Sequence, residues 1–298
     1  MNFSELKIKV AQEAGLDATT HDTKLGEWVN SAWLYIAGMY NWPWSIKSGI
    51  IQTVADIETG TATISAGSAD LTFSSGPAAS VAGQYMIQFD DQSDDWYEIS
   101  AHTAGETTAT ISPIFLGTDD YAAGSYILRK VRYSLASDMD RIINMKQAIT
   151  DSVVLPQDLR AFDRKYPDPT TSTTPEEYIM SGLDSDNYWQ VRLWPVPDAA
   201  INLAYNYYQK ATALTGTVIP PMPVQWHPSI VFIALASFAH PYMDDDRVQS
   251  AITRGRSILK DMVRQFNPTP SHLNVLQAWD EDRTTPRRYI NSDTGLEA

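Results

Sequence analysis

Apolar residues fall at helical spacing in two segments near the beginning of the chain. In the first, Asn2 and Glu5 form a predicted capping box, and Gly15 is the expected end of the helix. The second begins near the candidate N-cap Asp22 and ends at Pro43. Its apolar residues follow at i, i+3, i+4, i+7 and i+11, which predicts a strongly amphipathic helix: Leu25, Trp28, Val29, Ala32 and Ile36.

From Ile50 onward the period of the apolar residues changes to two, which predicts β-strands. The expected strands are short and regularly spaced: 61–64, 70–73, 85–89, 96–99, 107–112 and 125–128. Two of them, 85–89 and 96–99, flank an acidic turn and therefore predict a hairpin. Short strands separated by glycine-containing turns are typical of a small barrel or sandwich.

The segment 133–181 follows neither period cleanly, because Ile142, Ile143 and Met145 fit no single face. One short helix is expected at 156–165. Alternation returns at 191–194 and 201–207, and the turn sequence at 195–198 predicts that these two strands form a hairpin.

Two further helices are predicted near the end of the chain. The segment 226–242 is mostly apolar and is expected to be buried on more than one side. A second helix runs from Val248 to Phe266 and stops before Pro268 and Pro270. We expect Trp28, Trp33 and Ile36 to share one core with residues 230–239.

The predicted fold class is α+β. A helical-bundle core carries an inserted small β-barrel or sandwich domain, a second β-hairpin region and an extended C-terminal tail. The predicted boundaries are 1–47 for the N-terminal helices of the core, 48–130 for the inserted acidic β domain, 131–210 for the second β region, 211–266 for the C-terminal helices and 267–298 for the tail.

The charge of the chain is concentrated in the predicted insert. The whole chain has 36 acidic and 22 basic residues, a net charge of −14. Residues 49–128 contain eleven acids and not one Lys or Arg. Affinity for nucleic acid depends on Lys and Arg at phosphate groups, so this insert is not expected to grip DNA or RNA.

The sequence contains no strong catalytic or cofactor signature. It has no cysteine, and its histidines (His21, His102, His227, His240 and His272) show no metal-binding spacing. We expect no cofactor, and we expect His227 to begin a helix. The longest apolar run, 230–239, is short of the roughly 20 residues that a membrane helix needs, and a soluble protein without a targeting segment is expected.

Three clusters nevertheless have a functional and a structural interpretation. Asp90, Asp91, Asp94 and Asp95 could bind calcium, but a solvated hairpin turn is the favoured interpretation. The acids at 244–246 could be catalytic, or they could separate two helices. Trp42 and Trp44 could form a platform for a sugar or a base, although a place in the core is favoured.

The order of these pieces resembles the head-to-tail adaptor proteins of tailed bacteriophages, especially the short-tailed ones. The resemblance covers most of residues 1–266, and it departs at Ala136, where a proline is expected. It rests on the order of short motifs: WVNSA at 28–32, NWPW at 41–44, GQYMI at 83–87, WYEI at 96–99, GSYI at 124–127, YSL at 133–135, LWPVPD at 193–198 and WHP at 226–228.

The resemblance implies a structural virion protein and not an enzyme. Such adaptors form a ring, typically dodecameric, between the portal and the tail nozzle or tube, in some cases touching tail fibres. DNA passes through the lumen without sequence-specific binding, and no membrane is involved. The protein is then expected in the neck of the virion after synthesis in the host cytoplasm.

The resemblance also implies that the C-terminal tail reaches the portal. Pro268 and Pro270 end the last helix, and isolated aromatic, aliphatic and basic residues follow, a composition suited to anchoring on a partner. The predicted partner-binding residues are Leu273, Leu276, Trp279, Arg283, Arg287, Arg288 and Tyr289.

Two other functions stay open at this point. The protein could be a carbohydrate-binding or adhesin-like virion protein that uses aromatic residues of the β insert. It could also be an acid-dependent hydrolase that uses two of the clustered aspartates, such as Asp94 and Asp245.

Overall fold

The structure is a computed structural model that describes residues 1–90 and 95–266. The chain divides into two compact units. The helical unit combines Met1–Trp44 with the chain from Ala211 onward, and the β unit is Ser45–Lys210. The helices are α1 (Phe3–Ala14), α2 (Asp22–Gly38), α3 (Leu159–Lys165), α4 (His227–Phe238) and α5 (Asp245–Phe266).

Fourteen strands lie in the described part of the chain, all of them in the β unit. They are β1 (Ile46–Gln52), β2 (Ala62–Ile64), β3 (Asp70–Phe73), β4 (Tyr85–Phe89), β5 (Tyr97–His102), β6 (Thr108–Ser112), β7 (Tyr121–Gly124), β8 (Tyr126–Lys130), β9 (Arg132–Ser134), β10 (Met139–Gln147), β11 (Val153–Pro156), β12 (Glu177–Leu183), β13 (Trp189–Trp194) and β14 (Asn202–Gln209).

The predicted fold class is wrong. The described chain consists mostly of two curled seven-stranded sheets with few helices, and is not a helical-bundle core with a small β insert. The first sheet has the order β1-β14-β10-β11-β12-β13-β9, and only its β11–β12 pair is parallel among the pairs described. The second, which we call the module sheet, has the order β7-β2-β3-β6-β5-β4-β8 and is antiparallel throughout its described pairs.

The size of the first sheet was not predicted from the sequence, because bulges interrupt the apolar period of its strand β10. Strand β10 contains two bulges, one between Met139 and Arg141 and one between Ile142 and Asn144. Each bulge adds a residue and shifts the alternation of faces, so that Ile142, Ile143 and Met145 match no regular period. A strand with this pattern cannot be recognised from periodicity alone.

The predicted hairpin between β13 and β14 is also wrong. Strand β13 pairs with β12 and β9, whereas β14 pairs with β1 and β10. The turn at 195–198 therefore carries the chain to a distant position in the same sheet. The other predicted hairpin is confirmed, because β4 and β5 pair with Met86 opposite Glu98.

Each sheet encloses its own hydrophobic core. The first sheet buries residues such as Ile51, Tyr133, Met145 and Tyr205. The module sheet buries a separate set: Ala62, Ile64, Leu71, Phe73, Val81, Tyr85, Ile87, Phe89, Tyr97, Ile99, Ala109, Ile111, Phe115, Tyr121, Tyr126 and Leu128. No residue belongs to both sets, so the described part of the module has a core that is complete in itself.

The chain enters and leaves the module side by side. Ile57 and Leu128 form an antiparallel bridge in which each backbone N–H donates to the carbonyl of the other, at 3.0 Å and 2.9 Å. Strand β1 precedes this bridge and pairs with β14 of the first sheet over seven residues. The module sheet is thus connected to the first sheet by two adjacent chain segments.

In the helical unit, the sequence patterns describe the local structure well. The capping box at α1 is confirmed, since Asn2 Oδ1 accepts from the Glu5 N–H at 2.9 Å and Glu5 Oε2 accepts from the Asn2 N–H at 3.0 Å. Gly15 ends α1 in the left-handed conformation, with φ of 73°. The expected N-cap Asp22 is instead the first residue of α2, and α2 ends at Gly38, before Pro43.

The predicted shared core of the helices is confirmed. Trp28, Trp33 and Ile36 of α2 are buried in one cluster with Ile230 and Leu235 of α4. This agreement reflects the 3.6-residue apolar period of α2 and the mostly apolar composition of α4, which is buried on more than one side.

We expect Trp28→Ala to destabilise the helical unit by about 3–5 kcal/mol, because it removes a buried indole and leaves a cavity. Leu34 lies on the same helix and is 39% exposed, so Leu34→Ala is a control with a loss below about 1 kcal/mol. Denaturant unfolding of both variants measures the difference. A Trp28→Ala loss as small as that of the control would contradict the burial of this residue.

We also expect the module to be separable from the first sheet. Replacing residues 58–127 by a short Gly-Ser linker keeps the Ile57–Leu128 bridge and every member of the first core. The remainder should unfold cooperatively when followed by near-ultraviolet circular dichroism. A longer deletion, 46–127, removes β1 and should abolish this cooperative transition, because β14 loses one of its two neighbours. Loss of the transition in the shorter deletion would show that the module is required for folding.

Candidate interaction surfaces

The strongest charged cluster of the β unit is structural. The Arg129 guanidinium donates to Asp56 Oδ2 from Nε at 2.9 Å and from Nη2 at 2.6 Å, and its Nη1 donates to the Pro169 carbonyl. The same guanidinium lies 5.0 Å from the centre of the Trp96 ring. Both charged side chains are almost fully buried. Arg129 is the first base after the base-free segment, and it neutralises an acid at the entrance of the module.

A second acid is also used within the first sheet. Asp138 accepts hydrogen bonds from Lys47 Nζ and from the Tyr207 hydroxyl, both at 2.8 Å. Burial, together with the hydrogen bond to Asp138, raises the pKa of Tyr207 to about 12. Lys47 therefore ties β1 to the start of β10, and this cluster stabilises the sheet.

The described histidines do not assemble a metal site. Within residues 1–90 and 95–266, no group of three or more His, Asp or Glu side chains could hold a metal ion. His227 is confirmed as the first residue of α4. Its ring is fully buried, with Nε2 3.1 Å from the Met222 carbonyl, and burial lowers its pKa. Of the proposed calcium ligands, Asp91 and Asp94 lie outside the described residues.

The aspartates at 244–246 lie at the beginning of α5. Asp245 and Asp246 occupy its first turn and are exposed. Carboxylates at this position interact favourably with the positive end of the helix dipole. This explains their position without a catalytic role.

Aromatic residues of the β module are not available as a platform for sugars. All eight aromatic side chains between residues 49 and 128 are buried: Phe73, Tyr85, Phe89, Trp96, Tyr97, Phe115, Tyr121 and Tyr126. A polar cleft of the β unit, about 450 Å³ in volume, is lined by residues such as Glu98, Arg132 and Asp184 and by no aromatic ring. In it, Arg132 is already paired with Glu98 at 2.5 Å.

Trp42 is a core residue, as the favoured interpretation of the sequence had it. It is fully buried, its Nε1 donates to the Ile36 carbonyl at 2.6 Å, and its ring stacks on Trp44 at 4.4 Å. Phe266, the last residue of α5, packs edge-on against Trp44 at 5.1 Å. These rings fix the end of α5, after which the predicted tail begins. The predicted tail residues lie outside the described residues: Leu273, Leu276, Trp279, Arg283, Arg287, Arg288 and Tyr289.

One end of the module carries exposed aliphatic residues on a fixed loop. Phe115 is 1% exposed, and its N–H donates to the Ser68 carbonyl at 2.8 Å. The next N–H, of Leu116, donates to the Tyr97 hydroxyl at 3.2 Å. With Phe115 held inward, the neighbours Ile114 and Leu116 are 53% and 64% exposed. A rigid loop that presents two large aliphatic side chains is a candidate interaction surface.

Exposed carboxylates surround this loop. Asp119 and Asp120 follow it directly, and Asp120 accepts from the Ala66 N–H at 2.9 Å. Asp90 follows Phe89, whose ring packs on Phe115 and Tyr121, and the Asp90 N–H donates to the Ser125 carbonyl, which also accepts from the Tyr121 hydroxyl. We call the set Ile114, Leu116, Asp90, Asp119 and Asp120 the acidic tip.

Helix α5 carries the opposite charge on one line of its surface. Arg256, Lys260 and Arg264 are spaced at i, i+4 and i+8, so they follow one ridge of the helix. Lys260 and Arg264 are exposed, and Arg264 lies 3.7 Å from Asp261. The opposite side of the helix is buried through residues such as Ala251 and Met262. We call Arg256, Lys260 and Arg264 the basic ridge.

Strand β1 has an exposed face that the alternation of its residues in the sequence could have indicated. Ile46, Ser48, Ile50 and Gln52 alternate along one face, and Ile50 is 68% exposed. Ser48 Oγ donates to Asn206 Oδ1 at 2.7 Å, and Asn206 Nδ2 donates to Asn144 Oδ1 at 2.9 Å. These two bonds link side chains of β1, β14 and β10 on one face of the sheet.

Comparison with known protein families finds a match over most of the chain. The model of a family described as SU10 adaptor protein matches residues 1–269. No curated protein matches the chain. Among the described helices, none combines the length and apolarity needed to cross a membrane.

We expect Arg129→Met to destabilise the β unit by about 3–5 kcal/mol, because it leaves the Asp56 carboxylate buried without a counter-charge. The double variant Arg129→Met with Asp56→Leu should lose much less than the sum of the two single variants. Lys146→Met breaks an exposed pair with Asp151 and is the control, with a far smaller loss. Additive losses in a double-mutant cycle would contradict the coupling of Arg129 and Asp56.

Proposed function

The chain belongs to the SU10 adaptor protein family, and on that premise we propose that it forms a ring between the portal and the tail nozzle or tube of a phage. The family is one of phage head-to-tail adaptors, and the protein is accordingly a structural virion component. The observation that carries the proposal is the family match over residues 1–269, which includes the described parts of both compact units. We infer a ring of many copies, with twelve as the expected number.

The charges of the β module support a position beside passing DNA. Of its eleven acids, Asp56 and Glu98 are paired with Arg129 and Arg132. The module itself supplies no Lys or Arg that would hold phosphate groups. A channel wall with this composition lets DNA slide without sequence-specific binding. Its proposed place is the neck of the virion, after synthesis in the host cytoplasm and without a membrane partner.

The helical unit holds the end of α5 in place, at the point where the proposed docking tail begins. The Phe266 ring packs edge-on against Trp44, and the Trp44 ring stacks on the buried Trp42. The chain continues for 32 residues beyond this point. We propose that this tail binds the portal, that its aliphatic and aromatic residues are anchors, and that Arg283, Arg287 and Arg288 pair with acids there. The nozzle or tube, and in some phages the fibres, are the proposed partners on the other side of the ring.

Catalysis is not needed to explain the described residues. The charged clusters around Arg129 and Asp138 are paired by hydrogen bonds inside the fold. The chemistry that the structure supports is therefore recognition between proteins.

We expect truncation after Phe266 to leave folding intact and to abolish binding to the portal of the same phage. Truncation after Tyr289 is the matched control, since it retains all seven proposed tail contacts and should bind normally. Co-sedimentation with purified portal rings, followed by electron microscopy, measures both. Native affinity after removal of residues 267–298 would show that the tail is not the docking element. An unfolded truncated chain would show that the tail belongs to the core.

A further inference from the structure

We propose that neighbouring subunits meet head to tail, with the acidic tip of one copy on the basic ridge of the next. The inference rests on the proposed ring, and it names the contact that closes it. A ring in which all copies point the same way requires two different, complementary surfaces on every subunit. The described chain presents such a pair, of opposite charge.

The acidic tip is preorganised for docking. Four rings pack beneath the loop, with Phe89 at 5.2 Å from Phe115 and 5.0 Å from Tyr121, and Tyr97 at 5.8 Å from Phe115. The loop backbone is further held by the hydrogen bond of Phe115 to Ser68. Little conformational entropy is lost when a surface of this kind binds, which favours association.

The acidic tip offers both apolar surface and negative charge. Ile114 and Leu116 offer apolar area that water covers in the isolated chain, while Asp90, Asp119 and Asp120 offer negative charge around it. A suitable partner therefore has positive charges at the rim and an apolar surface at the centre.

The basic ridge has both properties. Lys and Arg side chains have long aliphatic stems that pack on apolar groups while the charged ends reach outward. Along the ridge, the stems of Lys260 and Arg264 can cover Ile114 and Leu116, and their charged ends can reach Asp119 and Asp90. The ridge lies on one continuous helix of 22 residues, Asp245–Phe266, so the spacing of its side chains is set by the helix.

Charge complementarity selects a second copy of this chain as the occupant. Residues 251–266 carry four bases and one acid, against eleven acids and no base in residues 49–128. Long-range attraction between these surfaces also orients two copies before contact, and salt weakens it. DNA is the competing partner of the ridge, and the experiment below distinguishes the two.

The test uses charge reversal in the full-length chain. The tip variant is Asp90→Lys with Asp119→Lys, which leaves Asp120 and its bond to Ala66 in place. The ridge variant is Lys260→Glu with Arg264→Glu. The control is Glu58→Lys with Glu106→Lys, which changes the net charge as much as the tip variant does. Glu58 and Glu106 are exposed and lie by the other end of β2 and β3.

Native mass spectrometry and analytical ultracentrifugation measure assembly as a function of concentration. Each reversal should raise the concentration needed for rings by at least about tenfold, whereas the control should change it by less than about threefold. A chain with both reversals should assemble, because its new charges are complementary again. An equimolar mixture of the two single variants should also assemble, into rings in which the variants alternate.

Several results would overturn the proposal. Rings that form normally in both variants would leave the ring intact and remove this contact from it. Wild-type protein that stays monomeric at every concentration would contradict the ring and the contact together. Failure of the combined reversals to restore assembly would show that the two surfaces do not meet. If the ridge variant assembles normally but no longer shifts duplex DNA in a gel-shift titration that the wild-type chain passes, the ridge binds DNA instead.

Folding of each variant is checked by its thermal unfolding. If a reversed variant unfolds, the neutral substitutions Asp90→Asn with Asp119→Asn, and Lys260→Gln with Arg264→Gln, replace it. These should raise the assembly concentration by a smaller factor in the same direction, on the order of threefold. No change with either neutral pair would contradict the contact.

Discussion

The β unit depends on the junction where the chain leaves the first sheet, enters the module and returns. There the chain passes from β1 through Asp56 and Ile57 into the module, and returns through Leu128 and Arg129. The segment of eighty residues between Gly49 and Leu128 contains no base. Its acid at the entrance, Asp56, is buried, and an unpaired buried carboxylate is costly. Arg129, the first residue after the segment, supplies the missing charge, and the paired backbones of Ile57 and Leu128 hold the two chain segments together.

This arrangement explains how the molecule can present a large acidic surface and still fold. Most of the module's acids are exposed, while the carboxylates nearest the first sheet are neutralised by Arg129 and Arg132. Inside, the module is filled by aromatic and aliphatic side chains that pack together. The same packing holds the loop around Phe115, so the core of the module and the shape of its acidic tip have one physical cause.

Local patterns in the sequence predicted the helices and several module strands, but not the dominant architecture. Helix α2 has an uninterrupted apolar period and helix α4 is mostly apolar, and their common core followed from these two patterns. The first sheet depends on contacts between remote segments, such as Ile51 opposite Leu203, which periodicity cannot reveal. The bulges in β10 removed its period as well. The sequence showed that the module is acidic. It did not reveal the acidic tip, because the exposure of Ile114 and Leu116 depends on the inward position of Phe115 in the structure.

We propose that this member of the SU10 adaptor protein family is a ring-forming adaptor whose surfaces recognise proteins. The most direct measurement is electron microscopy of the full-length chain assembled on portal rings from the same phage. The account predicts a closed ring of identical subunits below the portal, with each module against the helical unit of a neighbouring copy. Isolated copies bound to the portal, or a ring whose subunits touch through other surfaces alone, would contradict it.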